Sequence, residues 1–110
     1  MPISWEDFQK IDIRIGTITE VSEFPKAKKP AFRLLINFGE MGIKKSSAQL
    51  TDLYTKTDLI GKQVVAVVNF QPKQIADFFS ECFVLGVYTD KSEVVLLQPQ
   101  RKVDNGCKIG

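Results

Sequence analysis

The sequence predicts a mainly β fold in which five short strands close into a barrel. Three features support this fold class. Apolar and polar residues alternate with a period of two along several segments, and turns containing glycine or proline separate these segments. A single helical pattern falls between the third and the fourth strand. At 110 residues, with 44% hydrophobic and 25% charged residues, the chain is expected to form one globular domain over residues 1–110.

The chain is expected to open with a short N-terminal helix over residues 2–11. Ser4 is a suitable N-cap, and the acidic residues that follow it favour the positive end of the helix dipole. From Ile11 the apolar period changes to two, which predicts the first strand. Gly16 stands where the apolar residues change from odd to even positions. We therefore expect a bulge or a sharp bend at this glycine.

A loop rich in proline and lysine, residues 23–31, separates the first strand from the second. The second strand is predicted over residues 32–38, because every second residue there is apolar. A hairpin turn at residues 39–42 leads to a short third strand over residues 43–47. These two strands should pair with each other, since so short a connection joins antiparallel neighbours.

The helix between the third and the fourth strand is predicted over residues 48–61, with Ser46 or Ser47 as its N-cap. The fourth strand, residues 62–70, is almost continuously apolar. Such a strand is expected at the centre of the fold, covered on both of its faces. The fifth strand is predicted over residues 81–87, after a second irregular loop.

A C-terminal extension follows the five strands, with a sixth strand over residues 93–99 and a tight turn at Asn105-Gly106. Five strands with one helix between the third and the fourth are typical of an OB-fold barrel. In that fold, the loop after the first strand and the loop between strands four and five flank the ligand-binding face. We therefore expect residues 23–31 and residues 69–80 to lie side by side.

Composition argues against several classes of function. The chain has no His, which is the usual general base at neutral pH, and it has no phosphate-binding glycine loop or serine nucleophile elbow. We therefore predict that it is not an enzyme and that it needs no cofactor and no metal. Cys82 and Cys107 lack metal-ligand spacing and are expected to be reduced thiols, at least one of them buried.

The predicted location is the cytoplasm, without membrane insertion. The N-terminus has early acids and no apolar core of signal-peptide length, and the apolar runs are too short to span a bilayer. The net charge of +2, from 15 basic and 13 acidic residues, does not by itself indicate nucleic-acid binding. What would indicate it is a convergence of the basic residues on one face.

The candidate RNA-binding residues lie in and beside the two expected binding loops. Basic side chains there would neutralise phosphates, although they could equally form a solvated rim. Ser47, Asn69 and Ser80 could bind a phosphate or a base edge, or satisfy loop backbone groups instead. Asn69 in particular interrupts an apolar strand, so it must satisfy either a loop backbone or a ligand. The basic candidates are Lys26, Lys28, Lys29, Arg33, Lys44, Lys45 and Lys73.

Three phenylalanines in the second loop could serve as core, as a stacking platform or as a peptide pocket. Phe70 is expected to pack inward. Phe78 and Phe79 are neighbours, so in an extended segment they point in opposite directions and at least one should lie near the surface. Outside this loop, four apolar residues are interpreted as dimer interface or core. They are Trp5, Phe8, Val103 and Ile109.

Four segments together resemble the CsaA family, export-related chaperone-like proteins of the tRNA-binding domain superfamily. The segments are "EDFQKIDIRIGTI", "SSAQL", "VVNFQPKQIADFFSE" and "VLLQPQRKVDNGCKIG", and the likeness covers essentially the whole chain in order. The resemblance implies an OB-fold homodimer whose terminal extensions build the interface. It also implies tRNA as a partner, and a role in binding unfolded preproteins and the Sec export motor.

The second loop departs from the pattern that this resemblance implies. Related proteins tend to carry a basic residue at position 74, a glycine at position 77 and a basic residue at position 79. This chain has Gln74, Asp77 and Phe79. The loop has therefore lost positive charge and gained an acid and an aromatic ring. An alternative function is a peptide-binding or preprotein-binding export chaperone in which RNA binding is weak or vestigial.

Overall fold

The secondary structure of residues 1–110, described by a computed structural model, consists mostly of short strands. In chain order the elements are α1 (Trp5–Gln9), β1 (Ile13–Glu23), β2 (Phe32–Asn37), a 3-10 turn (Gly39–Met41), β3 (Ile43–Ala48), α2 (Lys56–Leu59), β4 (Gln63–Val67), β5 (Lys73–Ile75), β6 (Phe78–Ser80), β7 (Phe83–Val84), β8 (Gly86–Tyr88) and β9 (Val94–Leu96).

Five of the strands form one antiparallel sheet in the order β3-β2-β1-β4-β7, and the others form two hairpins, β5–β6 and β8–β9. The sheet nearly closes on itself because the chain just before β7 returns to β3. There the backbone N–H of Glu81 donates to the carbonyl of Lys45 at 2.7 Å, and the N–H of Lys45 donates to the Glu81 carboxylate at 2.9 Å. The predicted mainly β fold, a five-stranded barrel of the OB type, is confirmed.

The core fills the inside of this barrel. Alternate residues of β2 point inward, and Phe32, Leu34 and Ile36 are all buried in the main apolar cluster. The period of two therefore predicted this strand correctly. β4 is covered on both faces, as expected: Val64 belongs to the same cluster, whereas Val65 is buried outside it. Burial on both faces explains why the sequence of β4 is almost continuously apolar.

The first strand contains the expected irregularity, but not at the expected place. β1 is one strand of 11 residues, and its register with β2 shifts just after Ile18, so the bulge lies at Thr19. Gly16 is required for a different reason. A Cβ atom there would lie 2.6 Å from Cγ2 of Ile36 and 2.8 Å from the ring of Phe38. The inward side chains of the neighbouring strand therefore fill the space that a side chain at position 16 would need.

The helix predicted over residues 48–61 is much shorter in the structure. Only α2 is helical, and it begins with a capping box in which Thr55 and Asp58 each accept a hydrogen bond from the other's backbone N–H. Threonine and aspartate favour caps over helix interiors, so the helix starts here rather than earlier. The prediction of Ser46 or Ser47 as the N-cap is wrong, because both residues lie in β3.

The C-terminal part of the chain is more divided than predicted. The segment expected as the fifth strand, residues 81–87, splits into β7, which joins the barrel sheet beside β4, and β8, which pairs with β9. The tail then returns to the first strand, where the N–H of Gly106 donates to the carbonyl of Ile15 at 2.7 Å. The expected turn at Asn105-Gly106 is confirmed, and the φ of 91° at Gly106 favours glycine.

The N-terminal helix is present but shorter than predicted, since α1 covers only Trp5–Gln9. Ser4 is its N-cap as expected, and its hydroxyl oxygen accepts from the N–H of Asp7 at 3.0 Å. Neither this helix nor α2 has the length and apolar character needed to cross a bilayer. Both cysteines are free thiols, with Cys82 buried and Cys107 exposed, which confirms the prediction that at least one is buried.

Candidate functional site

The two loops that the fold predicts to flank a binding face do lie together. Nζ of Lys26, in residues 23–31, is 3.0 Å from Oδ2 of Asp77, in residues 69–80. Both side chains are largely exposed. The surface made by residues 23–31, by the hairpin over residues 73–80 and by the outward side chains of β2 and β3 beside them is called the loop face below. The ion pair confirms the expected proximity of the two segments.

Aromatic rings and cations connect the loop face to the barrel beneath it. The ring of Phe24, which is buried, packs on that of Phe78 with centroids 5.4 Å apart. The guanidinium carbon of Arg33 lies 5.7 Å from the centre of the Phe24 ring, and Nζ of Lys45 lies 5.4 Å from the centre of the Phe78 ring. Because a cation over a ring face is attracted to it, these contacts fix where both positive charges sit.

The pairing of β2 with β3 decides which side chains reach the loop face. Arg33 stands directly opposite Ser47, and the alternation along β3 puts Lys45 on the same side as Ser47. Ser46 points into the barrel and is buried, and Lys44 shares its parity. Lys44 therefore leaves β3 on the opposite side from Lys45. The structure does not bring Lys44 together with the other basic candidates.

The remaining basic candidates are distributed along the loops. Lys28 and Lys29 are exposed and form no ion pair. Lys73 lies in β5, where it is also exposed and stands directly opposite Ser80 of β6. The loop face thus combines cations that contact neighbouring side chains, such as Lys26, with exposed cations that form no ion pair.

The loop predicted over residues 69–80 contains a hairpin, β5–β6, that the sequence did not reveal. Ile75 and Phe78 are directly opposite each other and half-buried, whereas Gln74 and Phe79 form the pair on the other face. Phe79 is 48% exposed. The two phenylalanines therefore point in opposite directions, as expected, and one of them is at the surface.

Two of the polar candidates are engaged with the backbone. The side-chain carbonyl of Asn69 accepts from the N–H of Asp12 at 3.0 Å, and its amide donates to the carbonyl of Lys10 at 2.7 Å. The hydroxyl of Ser80 donates to the carbonyl of Cys82 at 3.1 Å. The need to satisfy loop backbone groups therefore accounts for Asn69 without a ligand. An RNA-binding role for these two residues stays a prediction.

Phe70 does not pack inward, so that prediction is wrong. Its side chain is 59% exposed and meets Phe83 edge-on, with centroids 6.1 Å apart. The reason is that β4 ends at Val67 and the bonds of Asn69 then direct the chain toward the end of α1. Phe83, itself 55% exposed, is a surface residue that the sequence analysis missed.

Other exposed apolar side chains lie on α1 and on the strands β7–β9. Val87 and Val95 are directly opposite each other in the β8–β9 hairpin, on the side away from the core, and both are exposed. Trp5 is 67% exposed on α1, where its ring packs against Phe8 with centroids 5.5 Å apart. The term apolar surface is used below for five exposed apolar side chains on α1, on β7–β9 and in the segment that follows β4. They are Trp5, Phe70, Phe83, Val87 and Val95.

The tail residues expected at a dimer interface are held against the barrel. The N–H of Val103 donates to the side chain of Gln63 at 3.1 Å, and the carbonyl of Val103 accepts from the same side chain at 2.7 Å. The N–H of Ile109 donates to the carbonyl of Ile13 at 2.9 Å. The side chains of Val103 and Ile109 are half-buried, which leaves part of each available to a second chain.

Two groups at the loop face and beneath it have shifted pKa values. The hydrogen bond from Lys26 lowers the pKa of the Asp77 carboxyl, so this acid is ionised in the neutral range. Burial raises the pKa of the Cys82 thiol to about 11, so this sulfur is not an active nucleophile at neutral pH. No cluster of His, Cys, Asp or Glu has a geometry that could hold a metal ion.

Two open clefts lie on the surface of the protein. One, of about 410 Å³, adjoins the loop face at the bulge of β1, and its walls include Arg33, Leu35 and Phe78. The other, of about 650 Å³, is polar and lies where the tail meets Gln63 and Thr17. Only the first borders on candidate RNA-binding residues, so it belongs to the same candidate site, whereas the second borders on Val103 of the tail.

Comparison with known proteins places this geometry in a family. Residues 13–108 match the family model described as a putative tRNA binding domain. The crystal structure of chaperone CsaA from Bacillus anthracis str. Ames superposes with a TM-score of 0.96, at 53% identity and full coverage of both chains. That of CsaA from Picrophilus torridus gives 0.94, also at 53% identity, covering 99% of this chain and 100% of the other. The resemblance to the CsaA family is confirmed.

Curated relatives at lower identity are longer proteins. The methionine–tRNA ligase of Nanoarchaeum equitans (strain Kin4-M) is 37% identical over 109 residues, which cover 97% of this chain and 13% of the ligase. The chain spans only 13–16% of the length of the curated relatives it matches. The similarity therefore concerns one domain of those ligases and not their catalytic activity.

Proposed function

The chain belongs to the tRNA-binding domain family and is of the CsaA type, and we propose that it binds tRNA-like RNA through the loop face. The chain is a binding domain and not an enzyme. We further propose which residues contact the RNA. The proposed contacts are the loop-face cations Lys26, Lys28, Lys29, Arg33, Lys45 and Lys73, with Ser47, Asn69 and Ser80 as polar neighbours.

The observation that carries this proposal is the convergence of cations from separate elements at one place. Lys26 comes from the loop after β1, Arg33 from β2 and Lys45 from β3, and contacts with Asp77, Phe24 and Phe78 hold them. A folded RNA presents phosphates at regular distances, and its recognition depends on shape and charge more than on base sequence. Cations fixed on a rigid barrel are suited to that kind of recognition.

An exposed aromatic ring on the other face of the β5–β6 hairpin supports the same function. Phe79 stands on the outer face of the β5–β6 hairpin, paired with Gln74. A base that stacks on an aromatic side chain contributes about 1–3 kcal/mol, and stacking tolerates any base. Unpaired nucleotides of a tRNA could use this ring while the phosphates contact the cations.

We also propose that the chain acts in the cytoplasm as a homodimer and as a chaperone-like factor in protein export. Residues 1–110 would form one folding unit, and Trp5, Phe8, Val103 and Ile109 would contribute to the contact between two copies. The support is the exposure of Trp5 and the incomplete burial of the other three. A dimer would present two loop faces to one RNA, and bivalency raises the apparent affinity well above that of one face.

A second candidate function is the binding of unfolded peptides, such as preproteins, together with contact to the Sec export motor. In this function RNA binding is secondary. The observation that favours it is the outer face of the β5–β6 hairpin, where Gln74 and Phe79 stand without a cation. Phe70 also exposes much of its side chain, next to Phe83. Exposed aromatic side chains of this kind are typical contact sites for apolar segments of a partner.

A titration with tRNA at two salt concentrations tests the first function. We expect binding at low salt that weakens strongly as salt rises, because each neutralised phosphate contributes about 0.7–0.9 to the slope of log K against log salt. Absence of binding at low salt, or binding without salt dependence, would contradict RNA recognition by the loop face.

An array of unfolded secretory peptides, probed at high salt, tests the second function. Peptide binding that persists at high salt and is reduced by Phe78→Ala or Phe79→Ala would support it. Phe78 is half-buried against Phe24, so its variant needs a check of thermal unfolding. If the peptides do not bind at high salt, the second function is excluded and the first is not affected.

A further inference from the structure

Asp77 is the single acidic residue of residues 69–80, and its carboxylate lies on the loop face in contact with a cation. Oδ2 is 3.0 Å from Nζ of Lys26, with 58% of the Asp77 side chain and 68% of the Lys26 side chain exposed. Arg33 and Lys45, in contrast, lie against aromatic rings, which leave their charges unneutralised. Of the three converging cations, only Lys26 has a carboxylate partner.

The chemistry of this contact resembles that of a phosphate contact. A carboxylate, like a phosphate, brings negative charge and acceptor oxygens to the ammonium at hydrogen-bond distance. The pair is exposed, and exposed ion pairs contribute little to stability, so a competing anion can displace the carboxylate. The side chain is therefore placed where an incoming phosphate would have to replace it.

We propose that Asp77 is a built-in competitor for phosphate that makes the loop face selective for chains of phosphates over single ones. This inference rests on the proposed function and deepens it. In the free chain Asp77 occupies Lys26. A ligand with one phosphate gains little by displacing it, because one contact is exchanged for another. A polyanion that engages Arg33 and Lys45 at the same time retains those contacts whether or not Lys26 is released.

The inference is testable because the Lys26–Asp77 contact could have the opposite role and favour binding. If the ion pair instead serves to hold the two loops together for binding, its removal should weaken binding. If Asp77 competes with phosphate, its neutralisation should strengthen binding. The two roles thus predict opposite signs for Asp77→Asn, which keeps the shape of the side chain and removes the charge.

The test uses the full chain, with tRNA and inorganic polyphosphate as polyanions and orthophosphate as the single phosphate. For Asp77→Asn at low salt we expect tighter polyanion binding by about three- to tenfold, the size expected when a like charge close to phosphate is removed. We also expect a steeper slope of log K against log salt, by up to about one unit, because Lys26 then adds a full phosphate contact. The selectivity for polyphosphate over orthophosphate should decrease.

Two controls separate this effect from a general change of charge. Asp90→Asn makes the same change of charge in the turn between β8 and β9, where the carboxylate forms no ion pair, and its effect on affinity should be smaller than that of Asp77→Asn, within about twofold of the wild type. In a Lys26→Ala background, Asp77→Asn should lose most of its effect, since the contact with Lys26 is the main interaction of this carboxylate and the longer-range interaction with Arg33 is the weaker one. Thermal unfolding of each variant confirms that it folds.

Equal or weaker polyanion binding by Asp77→Asn would overturn the inference, and so would an undiminished effect in the Lys26→Ala background. If tRNA does not bind to the wild type or to Asp77→Asn, the proposed function fails. The polyphosphate measurement then still decides whether Asp77 competes with phosphate. The two failures are therefore distinguishable.

Discussion

The loop face and the apolar surface are built on the same barrel but by different kinds of contact. On the loop face, an ion pair and two cation–ring contacts hold Lys26, Arg33 and Lys45 in defined places. On the apolar surface, Phe70 and Phe83 contact each other and expose more than half of their side chains. One surface presents oriented charge, and the other presents hydrocarbon to solvent.

We infer from this difference that the two surfaces serve different kinds of binding. Binding to a surface of fixed charges is weakened by salt, because counterions compete with it. Binding to exposed apolar side chains depends little on salt and gains about 25 cal/mol per Å² of apolar area that is buried. We therefore expect RNA binding and chain association to respond to different variants and to different solution conditions.

The clearest separation of RNA binding from chain association is expected when three loop-face cations are removed at once. The variant is Lys26→Ala/Arg33→Ala/Lys45→Ala. We expect tRNA affinity at low salt to fall by about 100-fold or more, and the salt slope to decrease by about 2. Arg33 and Lys45 each account for one lost phosphate contact, whereas Lys26, which Asp77 occupies in the free chain, accounts for less than one. Fluorescence titration over a salt series measures both quantities. The oligomeric state should not change.

A control for this variant removes the same charge elsewhere. Three lysines outside the loop face serve this purpose, and their removal should reduce affinity far less than the loss of the loop-face cations, because they affect the RNA only through long-range charge that salt screens as it rises. If both triple variants lose affinity equally, binding depends on net charge and not on the loop face. The control lysines are Lys56, Lys91 and Lys102.

The next largest effect is expected on the apolar surface, from Trp5→Ala. An aromatic anchor at an interface typically contributes about 2 kcal/mol or more, so the dissociation constant of the homodimer should rise by about 30-fold. Sedimentation at several concentrations measures it, and Phe79→Ala on the loop face provides a control that should leave association unchanged. A wild-type chain that sediments as a stable monomer would refute the dimer.

A smaller effect is expected from Phe79→Ala on RNA binding. We expect tRNA affinity to fall by about five- to tenfold, as for the loss of one stacked base, without a change in the salt slope. Phe70→Ala removes the same side chain from the apolar surface and should have no effect on tRNA. If Phe79→Ala reduces peptide binding at high salt and leaves tRNA binding intact, the hairpin is a peptide site.

The smallest effect concerns two neighbouring lysines on opposite sides of β3. Lys45→Ala should weaken tRNA binding by about three- to fivefold, as expected for one phosphate contact. Lys44→Ala should change it by less than about twofold, since Lys44 shares the inward parity of Ser46. The same low-salt titration measures both, and an equal loss for the two variants would mean that orientation does not matter.

Those parts of the fold that rest on local patterns were predictable from the sequence. The alternation in β2 indicates a strand with one buried face, and the continuous apolar run of β4 indicates a strand buried on both faces. The helix predicted over residues 48–61 does not form over that length, because Thr55 and Asp58 favour cap positions over the helix interior that the apolar spacing predicts. The β5–β6 hairpin could not be predicted from the sequence, because strands of three residues are too short to show a period.

The candidate site was predictable in its location but not in its contacts. The order of strands placed residues 23–31 beside residues 69–80, and the structure confirms that proximity. The side-chain partners depend on residues far apart in the chain, such as Asn69 with the backbone of Asp12. Without that contact, the outward turn of Phe70 could not be foreseen, since a phenylalanine after an apolar strand ordinarily continues into the core.

The return of the tail to β1 has a consequence for how the chain reaches its native state. Residues 106–109 supply hydrogen-bond partners to Ile13 and Ile15, at the opposite end of the sequence. On the ribosome, those strand groups stay without these partners until nearly all of residues 1–110 have emerged. Since an open strand edge is a template for pairing with other chains, a nascent or truncated chain is the form most exposed to misassembly.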